Sequence, residues 1–217
     1  MVRVKNVLKK VVLYGFLLTW GFIALYPVVW MFYTSVKLEE SIYVGPFSPP
    51  GLGDLTVSGW AKIMFKFGGL QAFFNSLIIA VGATVCVMTI TLLAGYALAR
   101  YEIRGHSYLL AILLGMIAIP LQANWIPIYL QLQALGLLNT HLGIIIPLVG
   151  GMLPFLTLVV RAYFRSFPKE VEEAARLDGA SELRIFLSIV VPIARPILAV
   201  VAILAFPGAW NCLLYTS

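Results

Sequence analysis

The residues best suited to chemistry in this chain form a single charged run, Glu172-Glu173-Ala174-Ala175-Arg176-Leu177-Asp178-Gly179-Ala180, followed by Ile189-Val190-Val191-Pro192. These residues can form ionic interactions, because their carboxylates can pair with basic groups of a partner and the neighbouring alanines permit close approach. Cys86 and Cys212 show neither metal-ligand spacing nor a disulfide framework. We therefore predict no catalytic residue, no metal site and no enzyme activity, and a surface that binds another molecule in water.

The charged run is typical of a short helix with capped ends. Pro168 suits the first turn, the acidic residues suit the positive N-terminal end, and Gly179 can end the helix after Asp178. A second helix that begins near Ser181 would then enter the membrane. The sequence predicts a rigid elbow of two helices, whereas the plainer alternative is a solvated charged loop.

One face of the predicted helix is small and lightly charged. Val171, Ala174, Ala175 and Asp178 follow the i, i+3, i+4, i+7 spacing that places residues on a common face. Two alanines on that face would let a partner approach the backbone closely, so we predict that this face docks.

Composition identifies the elements that must position this helix. Hydrophobic residues make up 61% and charged residues 11% of the 217 residues, which is too apolar for a single soluble core. Five segments approach the roughly 20 apolar residues that a membrane helix needs. They are residues 11–33, 76–99, 108–130, 142–163 and 186–206. We predict an all-α, multi-pass membrane protein with five transmembrane helices.

The net charge of +6 could suggest nucleic acid, but the basic residues are spread over several loops. They precede the first predicted span, follow the second and surround the charged run, and the positive-inside bias makes these segments cytoplasmic. We therefore expect no nucleic-acid partner and a cytoplasmic N-terminus over residues 1–10. Residues 34–75 are expected outside, as an irregular loop followed by an interfacial helix.

Prolines within the spans indicate kinked or interrupted helices, since each one removes a backbone donor and clashes with the preceding turn. The pairs are Pro120 with Pro127, Pro147 with Pro154, and Pro192 with Pro196. Interrupted backbone at membrane depth is tolerated where it is buried in protein or lines water. This pattern favours a transporter over an inert anchor.

The first of these interruptions carries candidate substrate contacts. Gln122, Asn124, Trp125 and Tyr129 set amide groups beside aromatic faces, a combination that suits hydroxylated ligands such as sugars. The alternative is structural: Trp125 and Tyr129 would anchor the helix at the membrane interface, and Gln122 and Asn124 would cap its broken backbone.

The source of energy must lie in another chain. The predicted spans hold almost no ionisable residue, and Arg195 in the fifth lies where its long side chain can reach the interface. The sequence also lacks the Gly-x-x-x-x-Gly-Lys-Ser/Thr phosphate loop. We predict no cofactor in this chain, with ATP bound by a partner subunit.

The order Glu-Ala-Ala, three residues, Gly, nine residues, Ile-x-Val-Pro resembles the cytoplasmic loop of permease subunits in binding-protein-dependent ABC importers. That family has Leu where this chain has Val191. Tyr96-Ala97-Leu98-Ala99-Arg100, Gly136-Leu137 and Trp210-Asn211 extend the resemblance to carbohydrate importers, and to the smaller permease of the maltose type.

The resemblance implies a heteromeric importer in a bacterial inner membrane. Two permeases form the pathway, two ATPase subunits dock beneath them, and an external solute-binding protein delivers a carbohydrate. Glu172 and Glu173 would lie on the ATPase-coupling loop, residues 164–185, with Glu173 paired to a basic residue of the ATPase. Ala174 and Ala175 would seat the helix, Asp178 and Gly179 would end it, and Pro192 would close the motif.

The family usually has six spans, so residues 76–211 would form a permease core that lacks the last one. We expect a chain truncated at its C-terminus, with residues 212–217 as a non-native tail. Two functional alternatives stay open: an ABC permease for another solute, such as a polyamine or an amino acid, and a fragment of a secondary carrier.

Overall fold

A computed structural model describes residues 2–51 and 53–212. Secondary structure in this part of the chain is helical, with one isolated bridge between Lys37 and Leu55. The chain divides into two compact units, residues 1–72 and 73–217, which are described separately. Most of the tail that we expect to be non-native, residues 213–217, lies outside the described residues.

The first unit is built on a long apolar helix and a structured loop. Its elements are α1 (Val2–Ser35), α2 (Glu39–Val44), α3 (Ser58–Ala61) and a π-helical turn, Lys62–Lys66. The segment Lys9–Ser35 of α1 has a mean hydropathy of 1.8 over its most apolar window, long and apolar enough to cross a bilayer. The first predicted span therefore forms as a helix.

A buried lysine orders the loop of the first unit. The Lys37 ammonium donates hydrogen bonds to the Gly45 carbonyl at 2.7 Å and to the Ser48 carbonyl and hydroxyl at 3.1 Å. These three acceptors use all three N–H groups of the ammonium. The segment predicted as an irregular external loop is thus held in a defined conformation.

The second unit contains the remaining helices. They are α4 (Gly69–Arg100, whose first turn precedes the unit boundary), α5 (His106–Ile117), α6 (Trp125–Ala134), α7 (His141–Ser166), α8 (Glu170–Leu177), α9 (Glu182–Ile185), α10 (Val191–Ile193) and α11 (Arg195–Trp210). By length and composition, α4 and α7 can each cross a membrane, and the bent pair Glu182–Ile193 with Arg195–Trp210 can form one further span.

Small side chains allow the long helices of the second unit to pack closely. Ala80, Ala83 and Val87 of α4 are fully buried in a core that also contains α7 and α11 side chains. A Cβ on Gly95 would lie only 2.7 Å from Val160 Cγ1 and 3.0 Å from the Arg161 backbone nitrogen. Only glycine permits this approach between α4 and α7, so the two helices are held at backbone distance there.

The interruptions predicted from proline occur at two of the three places. The predicted third span, residues 108–130, is broken by a 3₁₀ turn, Leu121–Asn124, between α5 and α6. The predicted fifth span bends by 66° between α10 and α11. Neither segment is one continuous helix, because proline removes the backbone hydrogen bond that would carry the helix through.

The third proline pair does not interrupt its helix. Pro147 and Pro154 lie inside α7, which runs unbroken for 26 residues. Prolines are tolerated in membrane helices where neighbouring groups compensate for the freed backbone carbonyls. Among the described residues the structure therefore has three continuous helices of spanning length, or four spans with the bent pair, and not five continuous ones.

Candidate functional site

The charged run folds as the predicted elbow. Helix α8 spans Glu170–Leu177, and Gly179 follows it with a φ of 80°. The Gly179 amide donates to the Arg176 carbonyl and the Ala180 amide to the Ala175 carbonyl, both at 3.0 Å. These two bonds form a Schellman motif, which needs a left-handed residue at the glycine position. Gly179 ends the helix as the sequence indicates.

The second half of the elbow begins at Ser181. The Ser181 hydroxyl accepts a hydrogen bond from the Arg184 amide, and α9 follows from Glu182. The chain then continues through a π-helical turn, Phe186–Val190, and α10, whose Ile193 carbonyl accepts a hydrogen bond from the Tyr163 hydroxyl at 2.8 Å. Pro192 lies in α10, next to the 66° bend. The elbow is therefore continuous with the bent span.

Glu172 faces the interior of the second unit. One carboxylate oxygen accepts from Arg100 Nε and the other from the Tyr96 hydroxyl, each at 2.8 Å. The Arg100 and Glu172 side chains are 4% and 6% exposed. Arg100 Nη1 also donates to the Phe167 carbonyl at 3.2 Å. A buried, hydrogen-bonded ion pair thus fixes α8 to the end of α4.

Arg176 extends this pair towards the second half of the elbow. It lies one turn after Glu172, with Nη2 3.8 Å from a Glu172 oxygen, and its Nε donates to Glu182 Oε1 at 2.6 Å. The hydrogen bond to Glu182 raises the pKa of the Arg176 guanidinium. Burial and the hydrogen bond to Glu182 raise the pKa of the Tyr101 phenol. We call Tyr96, Arg100, Glu172, Arg176 and Glu182 the Glu172 cluster.

The opposite face of α8 is open to solvent. Glu173, Ala174 and Asp178 are exposed. Two apolar side chains accompany them, Val171 at 46% exposure and Leu177 at 90%. The outer face of α8 therefore combines charged and apolar side chains that are exposed.

The docking face predicted from the sequence needs one correction. Ala175 does not lie on the open face with Ala174; it is half-buried and packs against the hydrophobic core. A helix turns about 100° per residue, so the inward direction of Glu172 also fixes Ala175 and Arg176 on the inner side. Leu177 takes the place of Ala175 on the outer face.

The candidate substrate residues occupy the other end of the second unit. Trp125 and Tyr129 line a cavity of about 610 Å³ with Asn75, Asn139 and His141. The His141 ring lies 3.2 Å from the Asn75 side-chain oxygen. Helix α7 runs from this cavity to the Glu172 cluster, a length of about 39 Å at 1.5 Å per residue.

One of the two amide candidates, Asn124, does not join these aromatic residues in the described part of the chain. Asn124 precedes α6, but its side chain makes no capping hydrogen bond and it is not part of the cavity lining among the described residues. The side chain of Gln122 lies outside the described part of the chain. Asn75 and Asn139 also bring amide side chains to the cavity that Trp125 and Tyr129 line.

Sequence reasoning missed the inner partners of α8. The sequence relates Tyr96 to the family pattern and Arg100 to the basic residues after the second predicted span, although Arg100 follows directly after an apolar run, where a buried charge would need a counter-ion. The i, i+4 spacing of Glu172 and Arg176 was a second available signal.

Long apolar helices, an interrupted span and a capped charged elbow fixed to an apolar helix of spanning length define a polytopic membrane protein with a short peripheral helix. Comparison with protein families specifies the class. Residues 91–216 match the binding-protein-dependent transport system inner membrane component. The chain belongs to this family of ABC importer permeases.

Individual relatives agree with the family match. The chain is 35% identical to the diacetylchitobiose uptake system permease protein NgcG of Streptomyces coelicolor, over 91% of this chain and 65% of that protein. It is 35% identical to the probable ABC transporter permease protein YurM of Bacillus subtilis, over 86% of this chain and 61% of that protein. The chain thus spans less than two thirds of the length of these two relatives.

A longer match and a solved structure extend the comparison. The maltodextrin transport system permease protein MdxG of Bacillus subtilis is 31% identical over 98% of this chain and 75% of its own length. The crystal structure of a bacterial ABC transporter involved in the import of the acidic polysaccharide alginate matches with a TM-score of 0.83 and 27% identity, covering 95% of this chain and 72% of that one.

Proposed function

We propose that this chain is a permease subunit of an ATP-driven importer of sugars or oligosaccharides. The names of the relatives support a carbohydrate substrate, since they refer to diacetylchitobiose, maltodextrin and alginate. Its partners would be ABC ATPase subunits that bind ATP, a second permease and an external solute-binding protein. It would lie in the bacterial inner membrane with its N-terminus in the cytoplasm.

The observation that carries the coupling role is the division of α8 into two faces. Its inner face is fixed by the buried Glu172–Arg100 pair, while its outer face exposes Glu173 and Leu177. A cleft in an ATPase could cover Leu177 and pair a basic residue with Glu173, with Ala174 between them permitting close contact. Glu172 would act from within, by holding α8 on the permease.

The two attachments of α8 suggest how a movement would spread. Arg100 and Tyr96 connect it to α4, and α9 connects it to the bent span. Closure of the ATPases on ATP would shift α8, and the shift would reach both helices. The cavity with Trp125 and Tyr129 would be a contact for hydroxyl-bearing substrate at the opposite end.

Site-directed crosslinking tests the docking face. Cys86 and Cys212 are replaced by serine, a benzophenone maleimide is attached at Leu177→Cys, and membranes that contain the ATPase encoded in the same genome are irradiated. We expect an adduct with the ATPase. Leu142→Cys is the matched control, because Leu142 is also exposed but lies at the first turn of α7. Equal adducts at both positions, or none at Leu177 while the ATPase co-purifies, would reject the docking face.

Uptake by proteoliposomes distinguishes the substrate class. Vesicles holding the assembled subunits receive labelled disaccharides, oligosaccharides, amino acids or polyamines, with ATP or a non-hydrolysable analogue inside. We expect uptake of a carbohydrate that depends on ATP hydrolysis. ATP-dependent uptake of an amino acid or polyamine alone would favour the other ABC permease class, and uptake without ATP would favour a secondary carrier.

A further inference from the structure

A second charged region adjoins the Glu172 cluster and shares Arg100 with it. It is a cavity of about 570 Å³ between the ends of α4 and α7 and the start of α5. Four basic side chains line it: Arg100, Arg161, Arg165 and Lys169. Such a concentration of positive charge costs free energy unless negative charge compensates for it.

The carboxylates of the described residues do not provide that compensation. Arg100 pairs with Glu172, but Arg161, Arg165 and Lys169 have no carboxylate within ion-pair distance in the described part of the chain. Glu102 also lines the cavity and offers one negative charge against these three positive ones. The cavity therefore carries an excess of positive charge.

His106 contributes a ring N–H donor to the cavity wall. Arg161 Nη2 lies 3.1 Å from His106 Nε2. A guanidinium can only donate, so Nε2 must accept, and the ring proton of the neutral imidazole is assigned to Nδ1. His106 Nδ1 is buried and has no hydrogen-bond partner among the described residues.

Arg100 also has a buried N–H donor without an acceptor. Its side chain is 4% exposed, its Nε and Nη1 are used by Glu172 and the Phe167 carbonyl, and its Nη2 has no partner among the described residues. Buried donors are nearly always satisfied. An anion with several acceptor oxygens would serve both the two buried donors without acceptors and the three cations without counter-ions.

The position of the cavity indicates where that anion comes from. Arg100 ends the apolar helix α4, and Arg161 lies in the last turns of α7. Side chains at the ends of spanning helices lie at the level of lipid headgroups, and basic pockets between such helices are suited to anionic lipids. Tyr108, largely exposed on the first turn of α5, matches the aromatic residues found at this level.

We propose that this cavity binds a phosphate group, supplied by the headgroup of an anionic membrane lipid. Arg161, Arg165 and Lys169 would neutralise the phosphate, and rearrangement of its wall would let the oxygens accept from His106 and Arg100. The volume exceeds what a phosphate ion alone needs, which leaves room for the glycerol of a headgroup. The bound lipid would stabilise the junction of α4, α5 and α7 without contacting the outer face of α8.

Native mass spectrometry of the detergent-solubilised chain tests this site. Phosphatidylglycerol, phosphatidylcholine or inorganic phosphate is added in turn. We expect bound phosphatidylglycerol in preference to phosphatidylcholine. Binding of inorganic phosphate as tight as that of phosphatidylglycerol would support the phosphate chemistry and assign a soluble source. Binding of neither would overturn the proposal.

Paired variants locate the binding. Arg165→Gln with Lys169→Gln removes two exposed cations of the cavity, and we expect phosphatidylglycerol affinity to fall about tenfold or more, since each charge-assisted bond to phosphate is lost. Lys62→Gln with Lys66→Gln removes the same charge from exposed positions elsewhere and should leave the affinity unchanged. Equal affinities in both double variants would reject the cavity as the site. A thermal unfolding curve verifies that each variant is folded.

Discussion

At the scale of single residues, two adjacent glutamates with identical chemistry have opposite environments. Glu172 is buried against Arg100 and Tyr96, while Glu173 is exposed on the outer face of α8. A buried carboxylate keeps its charge only because a guanidinium and a hydroxyl take the place of water. Glu172 therefore attaches α8 to the second unit, while Glu173 stays exposed for the partner contact that we propose.

Glu172→Gln should destabilise the fold. Removing one charge leaves Arg100 buried without a counter-ion, which typically costs about 3–5 kcal/mol. Thermal unfolding in detergent measures the effect. Glu173→Gln makes the same chemical change at the exposed neighbour and should shift stability by less than about 0.5 kcal/mol. If the two variants unfolded at the same temperature, the Glu172–Arg100 pair would not stabilise the fold as argued.

At the scale of elements, close contact between α4 and α7 supports the elbow. Gly95 lies one residue before Tyr96, so the helix contact and the Glu172 cluster are built on the same turn of α4. Tyr96 also packs edge-on against Phe164 of α7, with ring centroids 5.3 Å apart. The position of α8 thus depends on how closely two membrane helices approach.

Gly95→Ala should push these helices apart. The added methyl would meet Val160 at 2.7 Å and the Arg161 backbone at 3.0 Å, and overpacking of this kind costs about 1–3 kcal/mol. Gly150→Ala is the control, because a Cβ there meets nothing within 4 Å, and alanine favours a helix interior over glycine. Unfolding temperatures should fall for the first variant and hold or rise for the second; the reverse order would contradict the packing argument.

The elements themselves were largely predictable from the sequence, for a physical reason. Apolar runs and capping residues act locally, so α1, α4, α7 and the Gly179 end of α8 could be expected from their own residues. The direction in which α8 faces could not, because Glu172 and Glu173 differ only in what the rest of the fold brings near them. Whether Pro147 and Pro154 would interrupt α7 could not be predicted either, since tertiary packing decides whether a proline interrupts a helix.

At the scale of the whole molecule, the second unit carries candidate sites at both ends of α7. A cavity with Trp125 and Tyr129 lies at one end, and the Glu172 cluster and basic cavity lie at the other. The proposed function assigns substrate contact to the first of these ends and the ATPase to the second. The proposed function therefore predicts that changes at the α8 surface alter transport without altering insertion.

Glu173→Lys should abolish ATP-driven uptake in the assembled importer and leave the amount of chain in the membrane unchanged. The lysine would repel the basic group that we expect on the ATPase, while Glu173 itself has no ion pair among the described residues to lose. Uptake assays and membrane immunoblots measure the two effects. Glu40→Lys makes the same charge reversal at an exposed position of the first unit and should transport normally. Normal uptake by Glu173→Lys would refute the docking role.

The Glu172–Arg100 bond also constrains how this sequence can evolve. The two residues lie 72 positions apart, and a mutation of either one leaves the other as an unpaired charge in the interior. Selection should therefore keep positions 100 and 172 together or exchange them together across descendants. Glu173 has no such ion pair among the described residues. Substitutions at position 173 should therefore covary with substitutions in the partner chain that it contacts. Two neighbouring positions would then covary with different partners: position 172 with position 100 of the same chain, and position 173 with a residue of the partner chain.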